Sequence, residues 1–123
     1  MPEAQPLRGL YAITPERRDD PRYVLRLVGE ALRGGARFVQ YRDKQNDAQG
    51  RVGMARALLT LCHSAGARLL VNDDLQLALT IGADGVHLGA GDGDLRAARQ
   101  ALPAGLLLGA SCYADFSRAR AAA

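Results

Sequence analysis

Short apolar runs, each preceded by a glycine and followed by polar residues, recur along this chain. The glycines are Gly35, Gly66, Gly82 and Gly105, and the runs that follow them begin at Phe38, Leu69, Gly85 and Leu106. An apolar run of four or five residues suits a strand that is covered on both faces. Glycine accepts the left-handed conformation that ends many helices. The pattern therefore predicts four helix ends, each followed by a buried strand.

Apolar residues with helical spacing fill the segments between these strands. Asp20 followed by Pro21 predicts a helix that is capped by the aspartate and has proline at its first position. Similar spacing predicts four more helices, over residues 47–65, 74–81, 94–102 and 115–123, and a first strand covers residues 10–13. Pro103 is expected to stop the helix over residues 94–102. The elements thus alternate as βα five times, which implies parallel strands joined by right-handed crossovers.

Two α/β architectures satisfy this order of elements. One is an open, doubly wound sheet of five strands, and the other is a (β/α)8 barrel of the TIM type with only five of its eight units present. A complete barrel usually takes ~200 residues or more, whereas this chain has 123. Length alone therefore favours the open sheet, with residues 1–123 forming a single domain.

Composition narrows the function classes. Apolar residues make up 48% and charged residues 24%, as in ordinary soluble globular proteins, and the net charge is only +3. We expect no membrane span and no secretory signal, because no apolar segment is long enough. Two cysteines indicate a reducing compartment, so a cytoplasmic location is expected. Unclustered basic residues and 5% aromatics argue against nucleic-acid binding.

Polar side chains follow the predicted strands, and the carboxyl ends of parallel strands are where α/β folds bind ligands. Arg42 and Lys44 suit a diphosphate, and Asp73 and Asp92 suit Mg²⁺, which takes one or two carboxylates plus phosphate oxygens. Each has a plainer explanation as well. The two cations suit a solvated loop, and the two aspartates suit helix caps or turns. For Asp74, a helix cap is the better explanation.

Five segments together resemble the thiamine-phosphate synthases. They are Gly9–Thr14, Gln40–Lys44, Val71–Asp74, Gly82–Gly89 and Gly109–Cys112, and they span most of the chain. The resemblance implies the (β/α)8 barrel, present here as an incomplete, open half-barrel, instead of the doubly wound sheet. It also implies Mg²⁺-dependent coupling of a pyrimidine diphosphate ester to a thiazole phosphate, which yields thiamine phosphate and pyrophosphate.

The resemblance also implies roles for individual residues. The pyrimidine diphosphate would be held by Gln40, Arg42, Lys44, Asn72 and Ser111, and Mg²⁺ by Asp73 and Asp92. No protein nucleophile is needed, since the pyrimidine C–O bond ionises and the thiazole nitrogen captures the cation. His87 lies inside an apolar strand, and we expect a hydrogen-bonded residue of the interior there instead of a base.

The family's later lysine-containing and glycine-rich loops, which bind the thiazole phosphate, would follow Ala123. We therefore expect a fragment or a truncated reading frame that lacks synthase activity and does not persist as a folded monomer. Two other functions stay open: an isomerase like the related thiazole tautomerase, and a non-catalytic half-barrel that binds phosphorylated ligands or a partner. The joint presence of the two cations and two aspartates favours the synthase. Homo-oligomerisation is left open.

Overall fold

The computed structural model describes residues 7–17, 19–89, 95–112, 117 and 119–120. Five strands alternate with four helices in this part of the chain. In order they are β1 (Tyr11–Ile13), α1 (Pro21–Arg33), β2 (Phe38–Tyr41), α2 (Ala48–Ser64), β3 (Arg68–Asn72), α3 (Leu75–Ile81), β4 (Gly85–Leu88), α4 (Leu95–Ala101) and β5 (Leu107–Ala110). The predicted βα alternation is confirmed. The helix predicted over residues 115–123 lies largely outside the described residues.

Aspartates start three of the helices, as the sequence predicts. The carboxylates of Asp20, Asp47 and Asp74 each accept a hydrogen bond from the backbone N–H three residues later, at 3.1, 2.7 and 2.9 Å. Each bond satisfies an N–H that has no partner inside its helix. Asp74 is therefore the cap that we expected at the start of α3.

The predicted glycine helix ends are right in three places and wrong in one. Gly35, Gly66 and Gly82 have φ angles of 105°, 72° and 72°, a region that residues with a Cβ seldom adopt. Gly105 is not among the positive-φ residues. Instead, α4 ends at Ala101, before Pro103, whose ring cannot continue a helix, and the predicted stop at Pro103 is confirmed.

All five strands are parallel, and they lie side by side in the order β1-β2-β3-β4-β5. A doubly wound sheet would reverse its strand order at a switch point. No reversal occurs among these strands, since each new one adds to the same edge. The doubly wound sheet that length alone favoured is therefore wrong, and the barrel-type order implied by the resemblance is confirmed.

The sheet is curved but not closed. The Tyr11 hydroxyl on β1 lies 2.9 Å from Nδ1 of His87 on β4. Three strand spacings separate these strands, which amounts to about 14 Å on a flat sheet. Curvature therefore brings the two side chains together across the concave face. The architecture is an open half-barrel, as expected, with β1 at one edge and β5 at the other.

Successive side chains of each strand point to opposite faces of the sheet, one toward the helices and the next toward the concave interior. The core between sheet and helices contains Val39, Tyr41, Leu69, Val71 and Val86 from the strands, together with Val28, Ala55, Leu58 and Cys62 from the helices. The alternate positions carry the polar residues Gln40, Asn72 and His87. Among the described helices, none combines the length and apolar character that crossing a bilayer requires.

Candidate functional site

The loops after β2 and β3 meet at the carboxyl ends of the strands. Lys44 lies three residues beyond β2 and Asp73 directly follows β3, and their Nζ and Oδ2 atoms are 3.4 Å apart. A cation predicted to bind diphosphate and a carboxylate predicted to bind Mg²⁺ are thus neighbours. Arg42 begins the same loop as Lys44. Three of the predicted site residues therefore share one rim.

Glu16 organises this rim, and sequence reasoning missed it. Its Oε1 atom accepts hydrogen bonds from Nη1 of Arg42 at 3.0 Å and from the backbone N–H of Lys44 at 3.1 Å. One carboxylate thereby orients the guanidinium and holds the loop that carries the lysine. The available signal was its position, because Glu16 follows β1 as the other rim residues follow their own strands.

Thr14 joins the ends of β1 and β2 beneath this loop. Its backbone N–H donates to the Gln40 carbonyl at 3.0 Å, and its Oγ1 accepts from the Arg42 N–H at 3.0 Å. The side chain is only 5% exposed, so these bonds also satisfy a buried polar group. Thr14 therefore fixes the backbone of Arg42, while Glu16 orients its side chain.

Asp43 stabilises the remainder of the loop. Its Oδ1 accepts from the backbone N–H groups of Gln45 and Asn46 at 3.0 and 3.1 Å. The Tyr41 hydroxyl donates to Oδ2 of Asp43 at 3.1 Å. Burial, together with the negative charge of Asp43, raises the pKa of Tyr41, so this hydroxyl keeps its proton. Such a loop is already shaped to present its two cations before any ligand arrives.

Asp73 and Asp74 have different tasks although they are adjacent. Asp73 has a φ of 61° and is the one non-glycine residue with positive φ in the described part of the chain. Its N–H donates to the His87 carbonyl at 2.8 Å, which holds this turn at the end of β3. Aspartate tolerates the left-handed region better than most residues. Asp74 instead caps α3 and pairs with Arg51 at 3.1 Å.

Asp73 is the one predicted metal ligand within the described residues, and its Oδ2 is paired with Lys44. No group of three or more His, Cys, Asp or Glu side chains is placed to hold a metal within residues 7–17, 19–89 and 95–112. Asp92 lies outside the described residues. One carboxylate can serve Mg²⁺ only together with other oxygen donors, because the ion completes its shell with phosphate oxygens and water.

Three more predicted residues lie within the described part of the chain and face the concave side of the sheet, namely Gln40, Asn72 and Ser111. Gln40 is 3% exposed, and its Nε2 donates to the Tyr11 hydroxyl at 3.3 Å. Ser111, just after β5, has its Oγ 2.9 Å from Nε2 of His87. Asn72 ends β3 directly opposite His87 in the strand register.

His87 is a hydrogen-bonded residue of the interior, as we expected. It lies between Tyr11 and Ser111, at 2.9 Å from each. Burial lowers the pKa of His87, and the nearby charge of Asp73 offsets this only in part. The imidazole is therefore neutral at neutral pH, and one of its nitrogens can accept a hydrogen bond while the other donates one.

Comparisons with known proteins agree on one family. The model of the family described as thiamine monophosphate synthase matches residues 10–123. The chain is 53% identical to the thiamine-phosphate synthase of Chromobacterium violaceum and 52% identical to that of Aromatoleum aromaticum. The two alignments cover 94% and 97% of this chain. In each case it spans 56% of the relative, so it corresponds to about half of these proteins.

A solved structure shows the same likeness. The thiamine phosphate pyrophosphorylase of Pyrococcus furiosus superposes with a TM-score of 0.73 at 34% sequence identity. The match covers 85% of this chain and 50% of that protein. Sequence and structure thus point the same way: the chain belongs to the thiamine monophosphate synthase family.

Proposed function

We propose that this chain provides the pyrimidine diphosphate and Mg²⁺ sites of a thiamine-phosphate synthase. The contact between Lys44 and Asp73 carries the proposal, since it joins a phosphate-binding cation and a hard oxygen ligand at one rim. The relatives that are 53% and 52% identical to this chain are named for this activity. The thiazole tautomerase alternative is not favoured, because nothing in that isomerisation calls for a diphosphate site.

The two cations of the rim act on the leaving group. Arg42 offers a planar fork of N–H donors, and Lys44 offers a compact charge. Both stabilise the negative charge that develops on the departing diphosphate. Mg²⁺ would be held by Asp73 and, through the family resemblance, by Asp92, and when bound it supplies further positive charge at the phosphate oxygens.

The residues below the rim position the pyrimidine. Gln40 and Ser111 present an amide and a hydroxyl to the concave face, and Asn72 lies between them at the end of β3. The pyrimidine C–O bond breaks with its electron pair leaving on the diphosphate, and the thiazole nitrogen then forms the new C–N bond. The protein needs no nucleophile for this chemistry. Its residues bind and orient the two substrates and exclude water from them.

The adjacent aspartates provide a matched test. Asp73→Asn keeps a side chain that tolerates positive φ, and its partly exposed pair with Lys44 contributes below ~1 kcal/mol, so the fold should survive. Asp74→Asn makes the same chemical change, and asparagine caps a helix as well as aspartate does. Calorimetric titration with the pyrimidine diphosphate, with and without Mg²⁺, compares the two variants.

We expect Asp73→Asn to lose about tenfold or more of the Mg²⁺-dependent gain in affinity, since a metal site depends on each of its few charged ligands. Asp74→Asn should retain that gain. Equal Mg²⁺ dependence in both variants and in the unchanged protein would show that Asp73 is only a structural residue. No binding of the pyrimidine diphosphate by the unchanged protein would contradict the proposed function itself.

We also propose a cytoplasmic location and a single domain. The thiols of Cys62 and Cys112 are both free, and unpaired cysteines are typical of reducing compartments. The single continuous five-stranded sheet supports one domain.

A further inference from the structure

A cleft with three arginines lies at the amino ends of the first three strands, opposite the rim. Arg8 precedes β1, Arg37 immediately precedes β2, and Arg68 is the first residue of β3. The Arg37 N–H donates to the Leu10 carbonyl and the Arg68 N–H to the Arg37 carbonyl, each at 3.0 Å. These backbone bonds place Arg37 and Arg68 on neighbouring strands, about 5 Å apart. We call this cavity of about 540 Å³ the arginine cleft.

Glycines keep the arginine cleft open. Its other lining residues are Phe38 and the three glycines Gly9, Gly35 and Gly66. A Cβ at Gly35 or Gly66 would meet no atom within 4 Å, so both positions face open space. A Cβ at Gly9 would lie 2.6 Å from Cγ of Arg37, so this glycine leaves room for the stem of the arginine. Apart from Phe38, the lining therefore consists of arginine side chains and bare backbone.

The charges of the arginine cleft are not neutralised from within. In the part of the chain that the structure describes, its three guanidinium groups form no ion pair and donate no side-chain hydrogen bond. Asp84 lines the adjoining cleft beside Arg68, but its carboxylate already accepts from the Leu69 N–H at 2.8 Å and contacts Nε2 of His63 at 2.9 Å. Arg68 is half-buried, so its charge is partly desolvated without compensation. A cleft lined by charges of one sign concentrates small ions of the other sign.

We propose that the arginine cleft is a binding site for a small anion with two linked phosphate groups, separate from the rim. Each guanidinium group offers a planar fork of N–H donors that matches a phosphate, and three of them supply the charge that neutralises a diphosphate. Asp73 follows Arg68 by five residues, about 16 Å along the strand. One diphosphate cannot reach both ends, so this site goes beyond the proposed function and requires neither Asp73 nor Mg²⁺.

Arginine-to-glutamine substitutions test the site with little risk to the fold. Arg37→Gln and Arg68→Gln each remove one positive charge and keep a flexible polar side chain. Arg56→Gln is the matched control, because Arg56 is an exposed residue of α2 that does not line the cleft. The three variants have the same net charge, so a difference between them reports the position of the arginine and not the total charge.

The probe is inorganic pyrophosphate, titrated in the presence of a chelator so that no Mg²⁺ is available to the rim. Binding is followed in ¹H–¹⁵N spectra, which also show that each variant is folded. The amides of Gly35 and Gly66 report on the arginine cleft, and those of Lys44 and Asp73 report on the rim.

We expect the two glycine amides to shift to saturation in the unchanged protein. The affinity should fall about tenfold in Arg37→Gln and in Arg68→Gln, the value of roughly one charge-assisted hydrogen bond. Arg56→Gln should bind as tightly as the unchanged protein. Orthophosphate should bind about tenfold more weakly than pyrophosphate, because a single phosphate group cannot engage all three guanidinium groups.

Equal weakening in all three variants would overturn the inference, because attraction by the net charge would then explain the binding. The inference would also be overturned by a lack of saturable shifts at the two glycine amides, or by equal affinity for orthophosphate and pyrophosphate. The proposed function fails by a different result, in which the rim amides stay unchanged when the pyrimidine diphosphate and Mg²⁺ are added, whatever happens at the arginine cleft.

Discussion

Alkaline pH should destabilise this fold through one buried thiol. Cys62 on α2 is fully buried, and burial raises its pKa from 9.0 to about 11, with a further contribution from the negative charge of Asp84. In the unfolded chain the thiol is exposed and ionises near its ordinary value. Folding therefore favours the protonated thiol. This stabilisation is complete below about pH 9 and is lost as the pH rises through about 11.

The size of the effect follows from the change in pKa. Each pKa unit corresponds to about 1.4 kcal/mol, so the fold loses about 3 kcal/mol of unfolding free energy, relative to neutral pH, once the pH is well above 11. About half of this, roughly 1.4 kcal/mol, is lost by pH 10. That loss is a substantial part of the ~5–15 kcal/mol that stabilises a typical domain.

The assay is urea unfolding at about pH 7 and about pH 10 for the unchanged protein, Cys62→Ala and Cys112→Ala. Cys62→Ala leaves a small cavity whose cost is the same at both pH values. The stability difference between the unchanged protein and Cys62→Ala should therefore shrink by about 1.4 kcal/mol at the higher pH. Tyr11 and Tyr41, whose pKa values are also raised, are present in both proteins and cancel. A constant difference would refute the argument, and Cys112→Ala should show the full alkaline loss.

Three further predictions concern packing and association. Gly53→Ala should raise the melting temperature through ~0.5–1 kcal/mol of helix stabilisation, because the new methyl meets no atom within 4 Å on α2. Gly85→Ala should lower the melting temperature by destabilising the fold by ~1–3 kcal/mol, because its methyl would lie 2.5 Å from the Leu107 carbonyl oxygen. Thermal melts in which Gly85→Ala is the more stable variant would contradict both packing predictions. Leu10 and Ile13 are 61% and 59% exposed beside the open β1 edge, where another chain could pair. Ile13→Lys should therefore reduce self-association in sedimentation experiments, and an unchanged sedimentation profile would show that this edge is not involved.

Local features of the sequence were enough to predict most of the secondary structure. The aspartate caps and the buried strands follow from backbone hydrogen bonding and side-chain periodicity, which act over a few residues. The prediction at Gly105 was wrong because glycine is allowed in the left-handed region but does not have to adopt it. The preceding helix had already ended before Pro103, so no left-handed residue was needed there. Length misled the sequence reasoning about the architecture, because a barrel-type strand order does not require all eight strands.

The candidate site was only partly accessible to the same reasoning. The positions of Arg42, Lys44 and Asp73 after their strands followed from the topology of parallel sheets. Glu16 was missed because its importance lies in two hydrogen bonds to residues 26 and 28 positions away. No local pattern distinguishes such a carboxylate from any other surface acid.

The sequence by itself determined the family, the order of the elements, the helix caps and the residue types at the strand ends. The tertiary structure decided the curvature of the sheet, the positive φ of Asp73 and the meeting of Tyr11 with His87, which are 76 residues apart. The physical reason is that periodicity and capping are properties of neighbouring residues. The hydrogen-bond partners across a concave face exist only once the strands have packed and bent around it.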